Sequence, residues 1–235
     1  MVTADFFRPG GYTMIHWLTK LTKSTLLTLT ALLGGLGLTA SPAHAYYDVL
    51  DNGEIQKEGT YKLLGGLQML TSDGGANAEG TFEMGFQDEF GLRTSFGFGA
   101  TDVFFGGLFK WMPIPDIEGQ PAIGFNAGLL YASDGDARDL TFRFEPLVSK
   151  KFHTESVTFT PYASLPIGLR TRDSESLSNS SKMTWQLVGG TQLQVEKWKR
   201  LQFLGEVGVD LDHALSHISV AAVFYYDGEN GFKLE

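Results

Sequence analysis

Residues 140–152 read LTFRFEPLVSKKF, and the fold turns on which side of this stretch meets water. Leu140, Phe142, Phe144, Pro146 and Val148 share one parity. Thr141, Arg143, Glu145, Ser149 and Lys151 share the other, with Leu147 the one apolar exception. A period of two marks a strand with unlike faces. In a soluble sheet the apolar face would cover a core and the charges would meet solvent. In a membrane barrel the apolar face meets lipid and the charges point toward the axis.

The same alternation recurs about ten times between residues 59 and 227, and no helical periodicity competes with it. The runs are separated by turn-rich breaks such as SDGGAN, PDIEGQ, SDGDARD and RDSESLSNSS. The parity opposite the apolar one is rich in glycine, including Gly66, Gly85, Gly97, Gly106, Gly124, Gly128, Gly190 and Gly208. Glycine weakens a strand, so a solvated face favours long charged side chains instead. A crowded concave lumen, by contrast, needs the room. The charges on this parity are few and balanced: Lys62, Arg93, Lys110, Arg143, Lys151 and Arg170 against Glu83, Glu145, Glu196, Glu206 and Asp210. They are expected to form a lumen-facing network in which opposite signs neutralise one another. The fold class is therefore all-β, an antiparallel up-and-down transmembrane β-barrel. Termini on one side require an even strand number, about ten, with eight and twelve as its neighbours. Tyr61, Trp111 and Tyr226 near one set of strand ends, and Tyr131 and Trp185 near the other, are expected to form interfacial girdles. Pro161 and Pro166 each remove a ladder donor, which predicts a bulge or weak pairing in the seventh run.

The amino terminus reads as an export signal. Lys20 and Lys23 precede the apolar run Leu26 to Leu38, and Ala43-His44-Ala45 supplies small residues for cleavage after Ala45. The run is shorter than the roughly 20 residues of a spanning helix. Residues 1–45 are thus a signal peptide, with Met14 the more natural start. Residues 46–58 form a short polar lead expected in the periplasm, 59–227 the barrel and 228–235 a tail. Removing Arg8, Lys20, Lys23 and Asp5 takes the net charge from −9 to −11, which argues against nucleic-acid binding. Charged residues are 19% of the chain and aromatics 13%, too few charges to clothe a fully solvated surface. Cysteine is absent, which excludes disulfides and thiolate metal sites.

Export together with ten alternating runs resembles the small outer-membrane β-barrel proteins of Gram-negative bacteria, over essentially all of residues 59–227. The resemblance is one of pattern, without a catalytic motif. It implies an outer-membrane location, a monomer, and contact with outer-membrane lipids, lipopolysaccharide and the barrel assembly machinery. Such proteins usually end on an aromatic residue; here HISVAAVFYY is followed by DGENGFKLE.

Three local constellations have chemical readings. His217-Ile218-Ser219, with Glu206 on the same parity, resembles the His-x-Ser of lipid A deacylases, although Val220 stands where Asn commonly follows. Asp134, Asp136 and Asp139 gather carboxylates, but Arg138 lies among them and no bidentate Glu follows at calcium-loop spacing. Asp210, Asp212 and His213 form a similar turn, and Asn179-Ser180-Ser181 matches a glycosylation acceptor. Soluble turns account for the acidic groups. No catalytic residue, metal ligand or cofactor is expected. The reading is a structural or surface-interaction barrel whose lumen is filled by side chains. A narrow porin-like channel is the alternative, and a lipid A-modifying enzyme and a soluble periplasmic barrel for an apolar ligand are remoter ones.

Overall fold

The computed structural model describes residues 48–72, 74–174, 177–198, 201–229 and 231. The signal-peptide segment and the last four residues of the tail lie outside the described residues, as do the side chains of Asn179 and Trp198. The alternating runs become strands β1 (Thr60–Leu70), β2 (Ala76–Gln87), β3 (Phe90–Gly99), β4 (Val103–Ile114), β5 (Ala122–Asp134) and β6 (Ala137–Ser149). After a two-residue strand β7 (Phe152–His153) come β8 (Val157–Ser164), β9 (Ile167–Ser174), β10 (Leu177–Val195), β11 (Leu201–Asp212) and β12 (His217–Asp227).

Each strand pairs antiparallel with its neighbours, and β12 returns to β1 from Thr60↔Asp227 to Leu70↔His217. The sheet therefore closes, and no main edge is left unpaired. β8 and β9 together occupy one position between β6 and β10, so the ring has ten positions. The break between them answers the question raised by Pro161 and Pro166. Phe144↔Ile167 and Leu147↔Ser164 keep one register across it, as do Trp185↔Ile167 and Val188↔Ser164 on the other side. There is no bulge there. The strand loses ladder geometry at Leu165–Pro166, where the Leu165 and Gln186 N–H groups still donate to the Pro146 and Pro166 carbonyls.

The opening stretch now has its answer. Leu140, Phe142, Phe144 and Val148 are 50%, 52%, 38% and 40% exposed, whereas Arg143, Glu145 and Ser149 are buried. The same inversion holds around the ring, with Phe96, Phe105, Leu129, Leu169, Leu187, Val207 and Val220 facing outward. A continuous apolar exterior of this extent does not suit a monomer in water, but it suits acyl chains. Closure also satisfies the backbone where no water is available to bond it.

Inward glycines are packed from the lumen side. A Cβ at Gly97 would lie 2.1 Å from the Phe104 ring, one at Gly190 2.3 Å from Tyr162, and one at Gly208 2.2 Å from His217. The outward Gly65, Gly107, Gly189 and Gly205 meet nothing within 4 Å. Gly65 and Gly205, with Ala222 between them, floor an apolar hollow of about 660 Å³ on the outer wall. At the centre of the closing seam Gly65 faces Ala222 and Gly66 faces Ala221.

Candidate functional site in the barrel lumen

The largest departure from the expected layout is the lead. Asp48, Val49, Leu50, Asp51 and Asn52 are between 0% and 4% exposed, because the chain before β1 turns back and runs up the inside of the barrel. Its route explains inner-parity residues that polarity alone does not. Val49 and Leu50 pack on Leu64, Met112, Leu147, Val188, Leu204 and Val223. Leu147, the apolar exception of the opening stretch, is thus an inward contact for the lead. Gly53 has φ 74°, and a Cβ there would sit 2.6 Å from Leu147, so this bend requires glycine. Gly85 admits the lead as well, since its Cβ would fall 1.7 Å from the Gln56 carbonyl oxygen. Leu50 holds φ 35°, which costs a non-glycine residue about 1–2 kcal/mol and must be offset by its contacts.

Those contacts are polar and charged. At one level Lys110 Nζ donates to Asp51 Oδ1 at 2.8 Å, to Glu83 Oε2 at 3.0 Å and to the Glu54 carbonyl at 3.1 Å. Asn126 Nδ2 bridges Asp51 Oδ2 (3.0 Å) and Glu145 Oε2 (3.1 Å). Glu83 also meets Lys62 (3.7 Å) and Arg93 (3.8 Å), and Arg143 pairs with Glu145 at 2.6 Å. Burial alone would raise the Asp51 carboxyl, but Lys110, Lys62 and Arg93 outweigh it and hold that group below the usual carboxylate range. Deeper in, Glu206 accepts four hydrogen bonds: Val49 N–H at 2.8 Å, Leu50 N–H at 2.6 Å, Tyr162 O–H at 2.6 Å and His217 Nε2–H at 2.9 Å. Gln186 Nε2 donates to the Leu215 carbonyl and approaches His217 Nδ1 at 3.1 Å. With Nε2 donating to Glu206, Nδ1 is placed to accept from Gln186. Arg93 donates to the Val49 carbonyl.

Of the expected lumen charges, Lys62, Glu83, Arg93, Lys110, Arg143, Glu145, Arg170 and Glu206 lie buried on the inner parity. Lys151 sits half-exposed at the mouth and pairs with Glu54 of the lead. Glu196 and Asp210 do not join this set. Glu196 opens a short 3₁₀ turn after β10 and is exposed, and Asp210 is exposed near the end of β11, where it accepts the Ala214 N–H. Alternation stops at strand ends, so parity no longer fixes direction there. Lys150 clamps the β4–β5 connection through Asp116 (2.6 Å) and the Ile117 carbonyl (2.8 Å). Four of the aromatics lie near strand ends, Tyr61 against Tyr226, Trp111 beside Phe90 and Phe125, and Tyr131 on Phe105, whereas Trp185 is in the middle of β10, level with Asp212 at the end of β11.

The chemical constellations separate. Asp139 turns inward and binds Arg172 through two contacts of 2.7 and 2.6 Å, leaving the acidic loop. Among the described residues no group of three or more His, Asp or Glu is placed to hold a metal ion. His217 and Ser219 are both fully buried inside the wall, where the pair has no face toward lipid. Asp48 and Glu79, neither singled out by the sequence, are both buried in the lumen.

A closed ten-position sheet with an apolar exterior and a polar, filled interior is the architecture of the small outer-membrane β-barrels. No family model matches the sequence, and no curated protein matches it. Solved structures similar to it include the KdgM porin, with TM-score 0.38 and 11% identity over 69% of this chain and 98% of that one. The N-terminal β-barrel domain of Pseudomonas aeruginosa OprF gives TM-score 0.33 and 10% identity over 73% and 100%. Ail, the attachment invasion locus protein of Yersinia pestis, gives TM-score 0.30 and 11% identity over 72% and 99%.

Proposed function

We propose that this chain is an integral outer-membrane β-barrel that is closed to solute by its own lead. Its role is structural or surface-exposed, with no catalytic step. The observation that carries this reading is the burial of Asp48–Asn52 on the barrel axis, held by Glu206, Lys110, Asn126 and Arg93. The export signal and the apolar exterior support the location. Lipid, lipopolysaccharide and the assembly machinery are the partners it implies.

A second reading, a narrow solute channel, is favoured by one observation. A hollow of about 440 Å³ opens at the terminus-side mouth beside Asn52, Glu54, Gln56 and Lys151. In that case the lead is a stopper that withdraws. Planar-bilayer recording of the refolded mature chain separates the two. The closed reading expects no sustained current, and openings once Lys110→Met and Glu206→Gln loosen the lead. Steady conductance of the unaltered protein would overturn it in favour of the channel.

A further inference from the structure

Toward the terminus-side mouth the lumen is more basic than its own wall neutralises. Among the described residues of this zone, Lys62, Arg93, Lys110 and Arg143 are buried around two wall carboxylates, Glu83 and Glu145. Lys151 stands at the mouth itself, on the rim of the hollow of about 440 Å³. The acids that answer this excess come from the lead. Asp51 lies 2.8 Å from Lys110 Nζ, Asn126 Nδ2 adds a neutral donor from the wall at 3.0 Å, and Glu54 pairs with Lys151. The other acids lining the hollow do not serve these cations. Asp116 is spent on Lys150 and the Lys151 N–H, and Asp88 is exposed in the β2–β3 turn. Buried cations without a counter-charge are costly, and a pore lined by Lys and Arg draws anions. The lead therefore fills an anion site with its own carboxylates.

The same segment is poorly matched one level deeper. Asp48 is 4% exposed, and neither of its carboxylate oxygens has a hydrogen-bond partner. Glu79 and Glu206 are acids acting on it, with Arg93 and His217 opposing them. Leu50 is held at φ 35°. Attraction at Asp51 and Glu54 is thus set against an unpaired acid at Asp48 and a strained backbone at Leu50. A free solute carrying two carboxylates would meet the same cations without either penalty. We infer that the basic zone of the lumen, formed by Lys62, Arg93, Lys110 and Lys151, is a binding site for a soluble polycarboxylate, and that Asp51 and Glu54 of the lead occupy it as a tethered substitute which such a solute displaces. This rests on the seated lead of the proposed reading. A short tether gives the lead an effective concentration in the millimolar range, so a solute competes with it at comparable concentrations.

The test uses the full mature chain refolded in lipid vesicles, with citrate as the probe. The sequence lacks cysteine, so Val49→Cys, at a fully buried position of the lead, introduces a single thiol, and cysteine packs there as a small apolar side chain. Its labelling by a bulky charged maleimide reports withdrawal of the lead, and heat-modifiable gel mobility shows for each sample that the barrel has formed. Labelling should be slow without citrate, rise about tenfold once citrate reaches about ten times its dissociation constant, and respond far less to sodium chloride of the same ionic strength. The label also holds the lead outside, which leaves the full chain with an open lumen. In a planar bilayer the reversal potential of that pore should favour anions, and citrate should block its current, the block being lost in Lys110→Met/Lys151→Met. Equal acceleration by sodium chloride, a reversal potential favouring cations, or a citrate block that survives both substitutions would overturn the site while leaving the seated lead intact. Rapid labelling of the untreated protein would instead refute the seat, and the proposed reading with it.

Discussion

Lys110→Met is the most informative single change, because it removes one cation from a buried cluster whose other members have unequal replacements. Glu83 keeps Lys62 at 3.7 Å and Arg93 at 3.8 Å after the change. Asp51 keeps only neutral donors, Asn126 at 3.0 Å and the Gly53 N–H at 2.9 Å. Removing one partner of a buried pair costs about 3–5 kcal/mol, and here most of that loss falls on Asp51. Asp51→Asn alone leaves Lys110 its 3.0 Å contact with Glu83 and should cost only about 1–2 kcal/mol. In the double variant the orphaned charge is gone. It should therefore be more stable than Lys110→Met by about 2 kcal/mol, a coupling far outside simple additivity. Urea unfolding of the four proteins in vesicles measures it. Strict additivity of the two changes would show that Asp51 does not sit beside Lys110 and would remove the seated lead from the structure.

Three further outcomes follow from the same geometry. Gly97→Ala should destabilise by about 1–3 kcal/mol through its collision with Phe104, whereas Gly107→Ala, facing open space, should be neutral or slightly stabilising; equal losses would refute the inside-outside assignment. Phe142→Arg, mid-strand on the outer face, should cost about 2–4 kcal/mol in a bilayer, and a change below about 0.5 kcal/mol would mean that water, not lipid, lies outside. The seating of the lead should also depend on acid. Asp51 is held below its ordinary value, so it binds a proton less readily when seated than when free. Its contribution is fully present above the ordinary carboxylate range and is lost as pH falls through the lowered value. Bilayer currents should stay silent until well below about pH 4; openings already near neutral pH would contradict the assignment.

The barrel was legible because alternation is a local property. Each run of residues 60–227 carries its own inside and outside, and the glycines of the inner parity pointed to crowding before any neighbour was known. The lead was not legible, because its partners are up to 157 residues away and its sequence, DVLDNGEIQKE, has no period. A signal did exist. Leu64, Met112, Leu147, Val188, Leu204 and Val223 are apolar on the inner parity, where a lumen closed by polar side chains alone has no use for them. Read with Val49 and Leu50, they mark a greasy strip awaiting a short segment. Glu196 misleads for the opposite reason, since parity was extended past the end of β10 into a turn, and Asp210, still paired with Gln186, lies beside the register shift where strict alternation lapses.

Small residues meet where the wall closes. Where β1 meets β12, Gly65 opposes Ala222 outside and Gly66 opposes Ala221 inside. Cross-strand side-chain pairs supply about 0.2–1 kcal/mol each elsewhere in a sheet, and at this point that contribution is nearly absent on both surfaces. The join between first and last strands is therefore held at its middle chiefly by main-chain bonds, and side chains there add little to the closing of the cylinder.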